Sequence, residues 1–185
     1  MKLAKYIIWE IRDKHGQIIS VTKHEVHSIV RGFIDTLHVQ MGQVAVTNGA
    51  VATDGATRNT GTGVNNFAAD NAAASGTYGL VVGTGSGAVT ISDYALGAKI
   101  AHGSGAGQLS HGGTTFTNPT TSGSTRSFTI QRTFTNNSGS DITVNEVGIY
   151  IKMSTYILLM DRTLSTKTIT NGTTGTLTYT LGVTV

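Results

Sequence analysis

The chain has 185 residues, of which 12% are charged, with 24 glycines, one proline and no cysteine. That length can bury a core of useful size, and the missing cysteine excludes a disulfide framework or a thiolate metal site. Disordered chains usually carry more charge, so the abundant Gly, Thr, Ser and Asn read as many short strands and turns. The net charge of +3 resides in residues 1–31, where Lys2, Lys5, Arg12, Lys14, Lys23 and Arg31 outnumber Glu10, Asp13 and Glu25. The remainder is neutral overall, which argues against a nucleic-acid groove, since phosphates need clustered Lys and Arg.

At the start of the chain, Tyr6 to Trp9 is an apolar run that Glu10 interrupts. It is too short for a signal-peptide core, and nothing later approaches a membrane span. The expectation is synthesis without a classical export signal and no membrane partner. Residues 6–13 and 17–26 read as two strands joined across Lys14-His15-Gly16. Ile7, Trp9 and Ile11 share one parity in the first, and Ile19 and Val21 share one in the second, the period of a strand with two distinct faces.

The period then changes. Ile29, Val30, Phe33, Ile34, Leu37 and Met41 recur at steps of three and four, which predicts one amphipathic helix, with Ser28 or His27 as its cap and Gly42 at its end. Burying those six side chains would contribute about 10 kcal/mol before entropy is counted, so the helix must dock on the body or on a neighbouring subunit.

Residues 43–76 carry a weaker signal. Val44-Ala45-Val46 and Ala50-Val51-Ala52 flank Thr47-Asn48-Gly49, which predicts a small hairpin with an Asn-Gly turn. Residues 54–75 are mostly Gly, Asn, Thr and Ala around a lone Phe67, the composition of a long surface loop or arm. Residues 78–83 form a short apolar strand, and Gly83-Thr84-Gly85-Ser86-Gly87 follows. That Gly-rich stretch lacks the Gly-Lys-Ser/Thr of a nucleotide loop and no clear helix follows it, so it reads as a turn. Residues 101–113 form another loop, and residues 114–118 a short strand.

The last third is the most regular. Phe128, Ile130 and Phe134 alternate with Thr129, Gln131 and Thr133, and Leu177, Tyr179, Leu181, Val183 and Val185 alternate with threonines. Asn136-Asn137-Ser138-Gly139 and Asn171-Gly172 supply residues that accept tight-turn geometry. An antiparallel sheet ending on a full-length strand is expected. The fold class is therefore mainly β, an antiparallel β-sandwich or jelly roll with an N-terminal β-hairpin and one amphipathic helix. It divides into a hairpin plus helix (1–42), a loop or arm (43–76) and a sandwich body (77–185), read together as one integrated domain.

Candidate chemistry is sparse. His24 and His27 flank Glu25, but a zinc site needs a third and usually a fourth ligand that the spacing does not supply. No serine sits in a Gly-x-Ser-x-Gly elbow and no carboxylate pair faces one cleft, so neither a catalytic residue nor a cofactor or metal site is assigned. One polar group stands out. Arg132 shares the inward parity of Phe128, Ile130 and Phe134; Glu146 shares that of Ile142 and Val144 before Val147, Ile149 and Ile151 take the opposite parity, a phase change that a β-bulge produces. Glu146 either pairs with Arg132 or Arg162 to set strand register, or all three are solvated at the sheet edge.

Several pieces resemble virion structural proteins of tailed phages. One is Ile11-Arg12-Asp13-Lys14-His15-Gly16-Gln17-Ile18 followed by His27-Ser28-Ile29-Val30-Arg31-Gly32-Phe33. Another is Gly79-Leu80-Val81-Val82-Gly83-Thr84-Gly85 with Ser92-Asp93-Tyr94-Ala95-Leu96 and Ile100. The third joins Arg132-Thr133-Phe134-Thr135-Asn136, Ile142-Thr143-Val144-Asn145-Glu146-Val147-Gly148-Ile149-Tyr150 and residues 158–164, where Met160-Asp161-Arg162 reverses the acidic and basic order of the group. The resemblance implies a many-copy capsid, tail or fibre subunit in an extracellular particle, made in the host cytoplasm, with itself and other virion proteins as partners. Trp9, Ile29, Phe33, Leu37 and Phe67 are the expected subunit-interface residues. Two other readings remain: a module binding host glycans through loop aromatics (Phe67, Tyr78, Tyr94, Phe116), and a cellular extracellular filament built by strand donation.

Overall fold

The computed structural model describes residues 2–25, 30, 37, 46–60 and 67–184. Their backbone is strands and connecting loops, apart from Leu37, which is helical. β1 (Lys2–Arg12) and β2 (Ile18–Glu25) form the first hairpin, and β3 (Val46–Val51) and β4 (Thr57–Thr60) the second. Then come β5 (Gly79–Gly83), three short strands β6 (Ser110–His111), β7 (Thr115–Phe116) and β8 (Thr120–Ser122), and four long ones. These are β9 (Thr125–Thr135), β10 (Ile142–Lys152), β11 (Ile157–Ile169) and β12 (Thr174–Thr184).

The large sheet runs β2-β1-β12-β9, with β6, β7 and β8 paired in succession along the free side of β9. The small sheet runs β11-β10-β5, and β3-β4 stands apart as a two-stranded ribbon. All pairings between strands are antiparallel. β1 pairs with β12 along its whole length, from Lys2 opposite Thr184 to Arg12 opposite Thr174. The N-terminal hairpin is therefore an integral part of the large sheet.

The chain ends in two layers where the sequence suggested one sheet. β9 and β12 lie side by side in the large sheet, while β10 and β11 form a hairpin in the small one. Between β9 and β12 the chain crosses from layer to layer at residues 136–141 and 170–173, and side chains lace these crossings together. Asn136, fully buried, donates through Nδ2 to the Ser140 and Ile169 carbonyls and accepts from the Ser138 N–H. Asn171 Oδ1 accepts from Gly139 N–H, and Asp141 Oδ1 accepts from Asn171 N–H. Gly139 and Gly172 take φ of 88° and 81° there, which a Cβ disfavours.

Both layers face one core, a sandwich-like arrangement. Ile7, Trp9, Phe134 and Leu177 from the large sheet pack with Leu80, Val147, Ile151 and Leu158 from the small one. Trp9 and Phe134 sit with ring centroids 6.1 Å apart. A second, smaller cluster of Val30, Val81, Leu96, Tyr150 and Leu159 covers the other face of the small sheet. β10 is therefore buried on both faces from Glu146 to Ile151.

Two expectations are corrected. The amphipathic helix is not borne out: only Val30 and Leu37 of its residues are described, Val30 has irregular backbone whose N–H donates to the Met160 carbonyl at 3.2 Å, and the remaining residues, Ile29 and Phe33 included, lie outside the described ones. Asn48-Gly49 is not a turn, because both residues belong to β3, and the chain reverses at Asp54-Gly55 instead, with Gly55 at φ 81°. There Asp54 accepts from Ala56 N–H and pairs with Arg58, a local hydrogen-bond set that holds the turn. Ile19 and Val21 share a parity as expected, and the face they share is exposed.

Candidate functional site

The polar residues converge on the outer face of the small sheet, where residues 84–98 lie across β10 and β11. Glu146 is fully buried and Arg162 nearly so. The register of β10 against β11 shifts twice, between Val144 and Glu146 and between Ile149 and Tyr150. The first shift is the phase change visible in the sequence, but it falls before Glu146 and not after it, and so turns Glu146 onto the face opposite Val144. The second leaves Met160 packed in the intersheet core and brings Arg162 round to face Glu146. Bulges of this kind re-aim side chains.

Arg162 Nε donates to Glu146 Oε2 at 2.8 Å, and Arg162 Nη1 to Asp93 Oδ2 at 2.8 Å. Arg162 also donates to the Gly87 and Ala88 carbonyls. Glu146 accepts three backbone N–H bonds, from Gly85 at 3.1 Å, Gly97 at 3.0 Å and Ala98 at 2.8 Å. Asp93 accepts both the Thr90 N–H and its hydroxyl. Tyr150 Oη completes the set by accepting from Leu96 N–H at 2.8 Å. Burial works against the charge on Glu146, and the N–H groups of Ala98 and Gly97 with Arg162 outweigh it, so its carboxyl is held below the usual range. Asp93 is shifted the same way, against burial, by Arg162 and Thr90. Burial pushes the Tyr150 phenol up to about 12. The network uses charge to anchor a loop that has few apolar side chains of its own.

The Gly-rich segment has its reason here. A Cβ on Gly83 would stand 2.5 Å from Glu146 Oε1 and 2.6 Å from the Ala98 carbonyl oxygen, whereas one on Gly87 would meet nothing within 4 Å. Gly83→Ala is expected to cost about 1–3 kcal/mol by overpacking, while Gly87→Ala stays within about 0.5 kcal/mol of wild type. Thermal unfolding of the two variants side by side checks this, and equal midpoints would contradict the close approach.

Arg132 is not part of that network. It lies on the other side of β5, 1% exposed, and spends its donors on carbonyls. Nε donates to Gly112 O at 2.8 Å, and Nη1 to Leu80 O at 2.8 Å and Tyr78 O at 3.2 Å. Nη2 reaches Ser75 O and, at 3.5 Å, Ala72 O. Asn71 Nδ2 donates to the Tyr78 and Ser75 carbonyls, closing residues 71–80 into a fixed loop. Burial lowers the guanidinium to about 10, still charged at neutral pH. Beside it His111 is lowered to about 4, first by burial and then by Arg132 and His102, so it packs as a neutral ring edge-on to Phe134 at 5.1 Å.

Of the sequence-derived residues, Glu146 and Arg162 are therefore together, and Arg132 stands elsewhere. Trp9, expected at a subunit interface, is 0% exposed in the chain's own core, because β1 sits between β2 and β12 and turns that parity inward. Leu37 and Phe67 are exposed. Asp93 and Tyr150 were not singled out as anchors. Residues 83–85, 93–96, 146–150 and 162 are the segments that meet.

A second feature lies between the layers. An apolar cavity of about 320 Å³ opens beside Phe67 and Phe116. Comparison with family models, with curated proteins and with solved structures finds no match.

Proposed function

We propose that this chain is a non-enzymatic structural subunit that assembles with copies of itself, as the resemblance to tailed-phage virion proteins implies, and that its layers form a jelly-roll type of sandwich. The observation that carries the assembly is the edge of the large sheet. Among the described residues β2 pairs on one side alone, with β1. Ile18, Ile19 and Val21 on it are 50%, 56% and 59% exposed. An eight-residue edge strand with such side chains and no proline offers unpaired backbone groups and apolar surface to a partner, where proteins that stay monomeric blunt the edge. A second copy adding its own edge there is a standard mode of assembly, and repeated contacts between copies are the usual form of homo-oligomers. The inner face of β2 is already engaged, with Lys167 Nζ donating to Ser20 and Thr22 hydroxyls. Assembly would therefore use the strand edge and its outer face.

Sedimentation of the purified chain should show oligomers or larger particles, and the Ile19→Lys/Val21→Lys pair should disperse them. Because both positions face solvent, the unfolding midpoint should move by no more than about 0.5 kcal/mol per site. A wild-type chain that remains monomeric at high concentration sinks this reading.

A further inference from the structure

The cavity between the layers is built like a ligand site. Its walls come from both sheets: Phe128, Ile130 and Leu181 from the large one, Ile149 and Ile151 from the small one. Phe67 and Phe116 stand at its mouth, each nearly half exposed. Polar character enters at one place, where Asp161, 3% exposed, lies beside Tyr179. Asp161 Oδ1 accepts from the Thr163 hydroxyl at 3.0 Å.

We propose that this intersheet cavity is a binding site for a small, uncharged, largely apolar molecule. Three properties select that class. Its volume of about 320 Å³ falls in the range of small-molecule sites, which run from about 300 to 1,000 Å³. Apolar walls left without a partner forfeit dispersion contacts that a fitting apolar body restores. Among the described residues, the lining holds no lysine or arginine, so an anionic head such as that of a fatty acid would be desolvated there without a cationic partner. An alkyl or aryl body with a neutral head satisfies all three. The site is separate from the β2 edge, so it stands or falls independently of assembly.

The test uses the whole chain and the neutral fluorophore N-phenyl-1-naphthylamine. The expected result is saturable fluorescence enhancement, displaced by 1-octanol and at least about tenfold less well by octanoate at pH 8. Leu181→Trp, at a partly buried wall position, should weaken binding about tenfold or more by filling the cavity. Phe116→Ala, on the exposed rim, covers the case in which the tryptophan variant fails to fold, and should weaken binding measurably. The Ile19→Lys/Val21→Lys pair should bind as wild type does. Absence of saturable binding overturns the site. So does binding lost on changing the β2 edge, which places the probe there, or binding indifferent to both cavity variants. Octanoate competing as well as octanol overturns the charge selection.

Discussion

Glu146→Ala is expected to destabilise the fold by about 3–5 kcal/mol, the cost of removing one partner from a buried charge pair. The loss is large because it is shared. Arg162 keeps Asp93 but loses its buried carboxylate, and the N–H groups of Gly85, Gly97 and Ala98 lose their acceptor at once. Glu146→Gln retains one oxygen but turns an amide donor towards other donors, so it should fall between. Denaturant unfolding followed through Trp9, the one tryptophan of the chain and fully buried, measures both. An unchanged midpoint in the glutamine variant would show that the ion pair contributes nothing. The same network predicts acid sensitivity. The folded-state pKa values of Glu146 and Asp93 are lowered, so the unfolded chain takes up protons first as pH falls. Their stabilisation is complete above the unfolded carboxylate range near about 4 and is lost as pH drops through the lower folded values. Glu146→Gln should flatten that acid limb.

Arg132→Met is expected to cost about 3 kcal/mol or more, although it breaks no ion pair. Methionine fills much of the stem's volume, but the carbonyls of Gly112 and Leu80 lose their charged donor, while those of Tyr78 and Ser75 keep Asn71 Nδ2. Leaving buried acceptors unmet costs about 1–3 kcal/mol each. Arg132→Lys should recover less than half, since an ammonium cannot reproduce the planar fork that spans several acceptors. Amide hydrogen exchange should distinguish this effect from general loosening: residues 71–80 should lose protection before the centres of β9 and β12 do. A methionine variant as stable as wild type, with those amides still protected, would show that the loop is held by Asn71 and packing alone.

Much of the fold could be read from alternation and turn chemistry. The inward parities of Ile7, Trp9 and Ile11 and of Ile130, Arg132 and Phe134 appear as expected, because a period of two is a local property of the backbone. Gly139 and Gly172 occupy the turns foreseen for them. The parity change at Glu146 likewise announces a bulge, although the shift falls before Glu146 and not after it, and Glu146 with Arg162 is one of the pairings the sequence allows. Other features had no local signature. Alternation says which residues share a face, but not which sheet a strand joins, and so β10 and β11 could not be separated from β9 and β12. Nor does it say whether a face is covered: Ile19 and Val21 alternate as core residues do and lie exposed.

The sequence by itself determined the strands, their turns and the polar residues that would need partners. Tertiary structure decided those partners. Arg132 looked like half of an ion pair, yet its acceptors are main-chain carbonyls from residues 20 to 60 positions away, and every residue type carries the same carbonyl. Glu146 likewise takes three of its four bonds from main-chain N–H groups. Backbone acceptors and donors leave no trace in side-chain identity, so only the folded chain shows where a buried charge is satisfied.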